Sequence, residues 1–169
     1  PKDLKLLKVI NLVGNPDGSL SSLKAIDKLI NDYGFTDVIN PPINIKKTSR
    51  LALGKLLNDI PNVLTSRAVE ITPKNINELK NNIVTHKFSY PLIIRLSGYH
   101  NAEFMKKINS ESELITIKDW FELKRDFILL DYFDCLNSDG FYYKARIAVI
   151  DGGFYPQHYL SSKNWCIKA

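Results

Sequence analysis

Apolar residues along the chain gather in short runs separated by glycine, proline and asparagine breaks. Leu6 to Val13 (LLKVINLV) is almost continuously apolar, as expected of a strand covered on both faces in a parallel sheet. Gly14 to Gly18 interrupts it. Leu20, Leu23, Ile26, Leu29 and Ile30 then recur at helical spacing, which predicts a helix from a Ser19 cap to about Asp32, closed by Gly34 in a left-handed conformation. Phe35 to Ile39 predicts a second strand and completes a βαβ unit. Pro41 and Pro42 are expected to keep the stretch 40–45 out of a helix, since each fixes φ and lacks a backbone donor. Thr48 or Ser49 caps a helix to about Asn58, Val63 to Thr65 reads as extended, and Thr72-Pro73 with Asn75 announces a helix from Ile76 to Val84. Residues 1–85 therefore read as a small parallel α/β domain.

The pattern changes after Tyr90-Pro91. Leu92 to Leu96 predicts a strand, Ser97 to Asn101 a loop, Ala102 to Ile108 a returning strand, and a helix follows around Ile117 to Arg125. Three apolar runs come next, Phe127 to Phe133, Phe141 to Ile150 and Phe154 to Tyr159, divided by Asn137-Ser138-Asp139-Gly140 and Asp151-Gly152-Gly153. Asp-Gly between β-branched and aromatic runs favours tight hairpins, so the three runs predict an antiparallel meander. In its middle strand Tyr143, Ala145, Ile147 and Val149 point one way, and Tyr142, Lys144, Arg146, Ala148 and Ile150 the other. Residues 86–169 thus read as a second, antiparallel α+β domain.

That alternation brings out the clearest chemical feature of the chain. Lys144 and Arg146 project side by side from a largely apolar strand face. Two such cations repel each other and are costly to cover unless an anion lies between them. Arg95 is a second candidate: a forked, permanently charged side chain at a strand end, just before a loop built on Gly98, suits contact with a phosphate. The loop Gly14-Asn15-Pro16-Asp17-Gly18 does not fit a dinucleotide-binding GxGxxG. His86, His100 and His158 have no nucleophile pattern beside them, and neither GxSxG nor HExxH occurs. Asp131, Asp134, Asp139 and Asp151 sit where turns and strand ends account for them. No catalytic residue and no metal-ligand set is identified.

Composition narrows the partners. The 169 residues carry 23 basic and 18 acidic side chains, a net charge of +5 with no run of one sign, which argues against a nucleic-acid stripe and fits a phosphate-bearing small ligand. Cys135 and Cys166 lack metal spacing, and with no secretory signal they point to a reduced, cytoplasmic setting. No apolar run approaches the ~20 residues that cross a bilayer. A start at Pro1 and a stop at Ala169 read as a piece of a longer protein, whose open sheet edge could pair in a homodimer.

The order of these pieces resembles the ATP-grasp enzymes. Residues Pro91 to Arg95, the small glycine loop, Ile128 to Phe133 and Tyr143 to Gly152 are similar to the first part of the ATP-grasp nucleotide-binding domain, truncated here. Residues Ile39 to Pro42, Thr48 to Arg50 and Ile60 to Val63 resemble the pre-ATP-grasp domain. Pro156 to His158 and Ser161 to Trp165 look like one ATP-grasp subgroup. The resemblance implies that Arg95 holds phosphates and that Ser97 and Gly98 belong to the loop closing over the triphosphate. It implies that Leu130, Asp131 and Tyr132 line the adenine hinge, and that Lys144 and Arg146 face the phosphates. Family members use ATP and Mg²⁺ to activate a small carboxylate as an acyl phosphate, which an amine or thiol then attacks. The family's metal ligands fall on later strands, so they are expected beyond Ala169. The loop has one glycine where active members often have more, and Asp131 stands where many have Glu. The resemblance therefore implies a fragment of a carboxylate–amine or carboxylate–thiol ligase that is inactive alone. Its alternative is a non-catalytic scaffold for nucleotide sensing or protein contact.

Overall fold

The computed structural model describes residues 8–168. In the first part, β1 (Val9–Ile10) lies parallel to β2 (Val38–Ile39), with Val9 opposite Val38 and Ile10 opposite Ile39. Between them runs α1 (Leu20–Tyr33), ended by Gly34 at φ 67°, a left-handed value that glycine adopts without a Cβ clash. β1, α1 and β2 follow one another as strand, helix and parallel strand, but the ladder is two residues long, and Ile10 and Leu12 are exposed where a strand covered on both faces was expected. Leu6 and Leu7 of the apolar run lie outside the described residues.

Helix α2 (Pro42–Lys46) corrects the expectation for the two prolines. Pro42 occupies the first helical position, where a missing N–H removes no helical bond and a fixed φ is already suitable. Helix α3 (Arg50–Leu57) starts from Ser49, whose side chain accepts a hydrogen bond from the Ala52 N–H. The stretch 63–65 is not a strand; the strand that follows α3 is β3 (Ala68–Ile71).

The rest is built on a four-stranded antiparallel sheet in the order β3, β6 (Phe127–Asp131), β4 (Leu92–Leu96), β5 (Met105–Ile108). Helix α4 (Ile76–Thr85) connects β3 to β4 across β6, and the 3₁₀ segment η1 (Glu111–Leu123) connects β5 to β6. Residues 68–85, read as part of the first unit, thus pair and pack with the second: Val69 lies opposite Leu129, and Leu79 and Ile83 enter the same core as Leu92, Ile94 and Phe127. The returning strand is shorter than expected and η1 begins earlier.

The three-strand meander is overturned. Both edges of β6 are already taken, by β3 and β4. The turn at Asn137 to Gly140 closes on its own loop, with the Asn137 N–H donating to Phe141 O and the Gly140 N–H to Asn137 O. Only the two-residue turn at Asp151-Gly152 forms a hairpin, joining β7 (Tyr142–Ile150) to β8 (Gly153–Ser162) in a separate sheet.

Register explains which side chains face where. Leu92, Ile94 and Leu96 alternate toward α4 and η1 and pair with Asp131, Leu129 and Phe127 of β6. Ile93 and Arg95 take the opposite face, beside Leu130 and Ile128 of β6 and Lys107 and Met105 of β5. The Asn75 side chain caps α4 through the Glu78 N–H at 2.9 Å. Asn75→Ala is expected to cost about 1 kcal/mol in a denaturant titration. No helix of the described residues is long and apolar enough to cross a membrane.

Candidate functional site

The sheet face that carries Ile93 and Arg95 forms one wall of a cleft. Hairpin β7–β8 and the segment 165–168 form the opposite wall. Two connected chambers result. The first, about 470 Å³, is lined by Ile93, Leu130, Asp131, Tyr132, Phe133, Tyr142, Tyr143 and Trp165 among others. The second, about 640 Å³, is lined by Asn101, Ala102, Arg146, His158 and Lys168. Arg95, Met105, Lys144, Cys166 and Ile167 line both, so they sit where the chambers meet.

The first chamber is aromatic and largely apolar. Tyr132 meets Trp165 edge-on at 6.0 Å between ring centres, and the Lys107 ammonium lies 3.8 Å from the Tyr132 ring centre. At its mouth the Tyr142 hydroxyl donates to Asp134 at 3.1 Å and lies 3.4 Å from the Tyr132 hydroxyl. The contact with Tyr132, aided by partial desolvation and by Asp134, pushes the Tyr142 phenol up to about 12, so it stays protonated and able to donate.

The second chamber is cationic. Arg95, Lys144, Arg146 and Lys168 line it, and no Asp or Glu among the described residues does. Asp131 is the one acidic residue lining the first chamber among the described residues. Its carboxylate faces the helix side of the sheet, where Arg67 Nε and Nη2 hold it at 3.2 and 3.1 Å. Arg67 also donates to the carbonyls of His86 and Lys87 and lies over the Phe88 ring. Among the described residues Lys144 Nζ reaches the Ile167 carbonyl, at 3.4 Å.

Arg95 is the sharpest feature. It is 8% exposed, its Nη2 donates to the Tyr99 carbonyl, and its Nε is buried with no hydrogen-bond partner among the described residues. Burial lowers its pKa from the ordinary arginine value, nearby Arg50 adds to this, and Asp17 opposes it. A guanidinium carries five donors, and each buried donor left unmatched is unfavourable. An acceptor placed at the junction of the chambers would match that donor.

The structure brings together Arg95, Leu130, Asp131, Tyr132, Lys144 and Arg146 around this cleft. Ser97 and Gly98 line neither chamber. The Ser97 N–H donates to Asp126 O, and Gly98, at φ 85°, turns the loop toward the first unit. There His100 lies 3.3 Å from Arg50 Nη2 and 3.2 Å from Asn15 Nδ2, while Arg50 pairs with Asp17 at 3.0 Å. Asn101 and Ala102, next along the loop, do reach the second chamber. Sequence reasoning missed Met105, Trp165 and Cys166. Met105 was recoverable from the register that sets it opposite Arg95; the fold-back of residues 165–167 left no local signal.

The fit to a metal ion differs from the fit to an anion. Among the described residues no group of three or more His, Cys, Asp and Glu side chains could hold a metal. The carboxylate nearest the cleft is engaged by Arg67. The residues present thus suit a phosphate-bearing ligand and do not themselves supply a Mg²⁺ site.

No family model matches the chain, and no curated protein matches it. Solved structures do. A D-alanine-D-alanine ligase from Helicobacter pylori is 22% identical with a TM-score of 0.51, over 90% of this chain and 44% of that one. A D-alanyl-alanine synthetase A from Vibrio cholerae is 11% identical with a TM-score of 0.48, over 89% of this chain and 43% of that one. A D-cycloserine synthetase is 12% identical with a TM-score of 0.42, over 85% and 48%. The chain spans less than half the length of the structures it matches, and the likeness to the first is one of fold.

Proposed function

We propose that this chain, whose fold is the one shared with ATP-grasp enzymes, is the nucleotide-binding portion of an ATP-dependent ligase that joins a small carboxylate to an amine or thiol. The observation that carries the reading is the buried Arg95 guanidinium, with its Nε unpartnered, at the junction of an aromatic chamber and a cationic one. A nucleotide has the matching polarity, a flat apolar base at one end and a polyanion at the other. In this reading the base lies between Leu130, Tyr132 and Trp165, and the phosphates lie against Arg95, Lys144 and Arg146. Bound ATP supplies the phosphoryl group that activates the carboxylate. What this chain contributes is binding, orientation and charge neutralisation. Ser97 and Gly98 take part only if the loop leaves its contacts with Arg50 and Asn15. The Mg²⁺ ligands that the resemblance implies belong, in this reading, to residues beyond Ala169.

A second reading is favoured by one observation: the loop is tied back by His100. It takes the chain as a nucleotide sensor without turnover. Both readings require binding, so the test is calorimetric titration with ATP. Lys144→Ala and Arg146→Ala are each expected to weaken ATP by about 1.5–3 kcal/mol, the loss of one charge-assisted hydrogen bond. Equal ATP affinity in both variants and the unaltered chain would overturn both readings. ATP hydrolysis or ligation by a longer chain, abolished by replacing Arg95, would decide for the ligase.

A further inference from the structure

Cys135 and Cys166, the two cysteines of the chain, both line the first chamber. They reach it from different segments. Cys135 belongs to the loop between β6 and β7, and Cys166 to the segment that folds back after β8. Both thiols are free, the first exposed and the second half-buried. One cluster of side chains links the two segments. Asp134, next to Cys135, accepts from the Tyr142 hydroxyl at 3.1 Å and from the Tyr132 hydroxyl at 3.4 Å. Trp165, next to Cys166, meets the Tyr132 ring edge-on at 6.0 Å between centres. Each cysteine is therefore one residue from a contact with the same tyrosine.

Neither cysteine is fixed by a strand ladder. The Asp134 side chain also accepts from the Leu136 N–H at 3.2 Å, a turn that sets Cys135 at its tip. Among the described residues, segment 163–168 is held by the Asn164 N–H on Ser162 Oγ at 2.9 Å and by Lys144 on the Ile167 carbonyl at 3.4 Å. A disulfide brings two Cα atoms to about 4.4–6.8 Å. A shift of segment 163–168 toward the turn at Cys135 can supply that approach without unpairing a strand. The adjoining second chamber, which Cys166 also lines, carries Arg95, Lys144, Arg146 and Lys168. An anionic thiol reagent is drawn to such a wall.

We propose that Cys135 and Cys166 are a thiol–disulfide exchange site that closes the first chamber, with an anionic low-molecular-weight disulfide such as glutathione disulfide as oxidant. The exposed Cys135 thiol loses its proton to water, and its sulfur attacks one sulfur of the reagent. The reagent's S–S bond breaks, and one glutathione leaves as a thiolate that takes up a proton. The Cys166 sulfur then attacks Cys135 in the mixed disulfide and releases the second glutathione. Two cysteine thiols are oxidised to one disulfide, and one glutathione disulfide is reduced to two thiols. In a reducing compartment such a bond is transient and serves as a sensor. The exchange itself needs only the thiol pair. Its effect on binding rests on the reading that the first chamber holds a nucleotide's base, because the cross-link draws Trp165 and Ile167 inward and narrows that chamber. By the same coupling a bound base holds the thiols apart, so ATP should slow the cross-link.

The experiment treats the 169-residue chain, dilute enough to disfavour links between chains, with glutathione disulfide. Free thiols are counted, the digest is mapped by mass spectrometry, and ATP is titrated by calorimetry before oxidation, after it and after dithiothreitol. The expected result is loss of both thiols and a peptide pair joined through Cys135 and Cys166 without added glutathione. ATP affinity should fall about tenfold or more on oxidation and return with dithiothreitol. ATP present during oxidation should slow the loss of thiols. Cys166→Ser should stall with one glutathione held on Cys135. In the double variant Cys135→Ser, Cys166→Ser, whatever its own affinity, glutathione disulfide should leave ATP binding unchanged. Unreacted thiols, or glutathione adducts and links between chains with no internal cross-link, overturn the site. An internal cross-link with unchanged ATP affinity overturns the closure and leaves the nucleotide reading standing. An internal cross-link in a chain that binds no ATP even when reduced supports the thiol pair and overturns the nucleotide reading.

Discussion

Arg95→Met is expected to weaken ATP binding by about 100-fold or more while leaving the free chain as stable as before, or more stable. The two effects have opposite signs for one reason. In the free chain Arg95 is a cation 92% removed from water, and among the described residues it makes a hydrogen bond to the Tyr99 carbonyl and pairs with no carboxylate. Replacing a poorly compensated buried charge by an apolar side chain of similar length is often neutral or stabilising. The neighbours on its face, Ile128 and Met105, would accept a thioether. With phosphates present the balance reverses, because two charge-assisted hydrogen bonds are worth about 3 kcal/mol or more, which is about 100-fold in affinity. Thermal melts of the free protein and calorimetry with ATP separate the two effects. A melting temperature several degrees lower with unchanged affinity would show Arg95 to be a structural residue and remove the main support for a nucleotide cleft.

How far this cleft could be read from residues alone depends on the range of the interaction that builds each part. Helices α1, α3 and α4 were legible because a period of 3.6 and a capping Ser or Asn are local signals; Ser49 and Asn75 do make the bonds their types suggest. Strand β4 was legible in full, since five apolar or forked residues between Pro91 and a glycine loop allow little else. What no local pattern contains is partnership across the chain. β3 is four residues long and finds β6 about 60 positions later, so Ala68 to Ile71 carried no sign of the sheet they would join. The two Gly-containing turns after β6 looked equivalent, yet one spans ten residues and folds on itself while the other spans two and makes a hairpin. The same limit hid the second wall of the cleft. Lys144 and Arg146 read correctly as neighbours on one strand face, but only the long-range fold shows that Arg95 and His158 line the same space.

The corrected topology makes a second prediction of large effect. Phe127→Ala is expected to cost about 3–5 kcal/mol, because its ring is 1% exposed and lies 5.0 Å from Phe121 and 6.4 Å from Trp120 between ring centres, at the centre of the sheet–helix core. Phe154→Ala is expected to stay within about 0.5 kcal/mol, since Phe154 is 73% exposed on the hairpin. Had β6, β7 and β8 formed one meander, the two phenylalanines would have shared a sheet and their losses would be comparable. Denaturant titrations of both variants test the contrast, and amide exchange supplies a check if Phe127→Ala is too unstable to titrate. Loss of protection should spread through β3, β4 and β6 and spare the β7–β8 ladder, because the two sheets share no strand. That separation also bears on the cleft. Its two walls belong to different sheets, so a ligand that bridges Arg95 and Lys144 contributes contacts between them that the free chain makes sparsely. ATP should therefore raise protection in the exposed β7–β8 hairpin more than in the buried β4 and β6, and equal protection of both walls with and without ATP would argue that nothing binds between them.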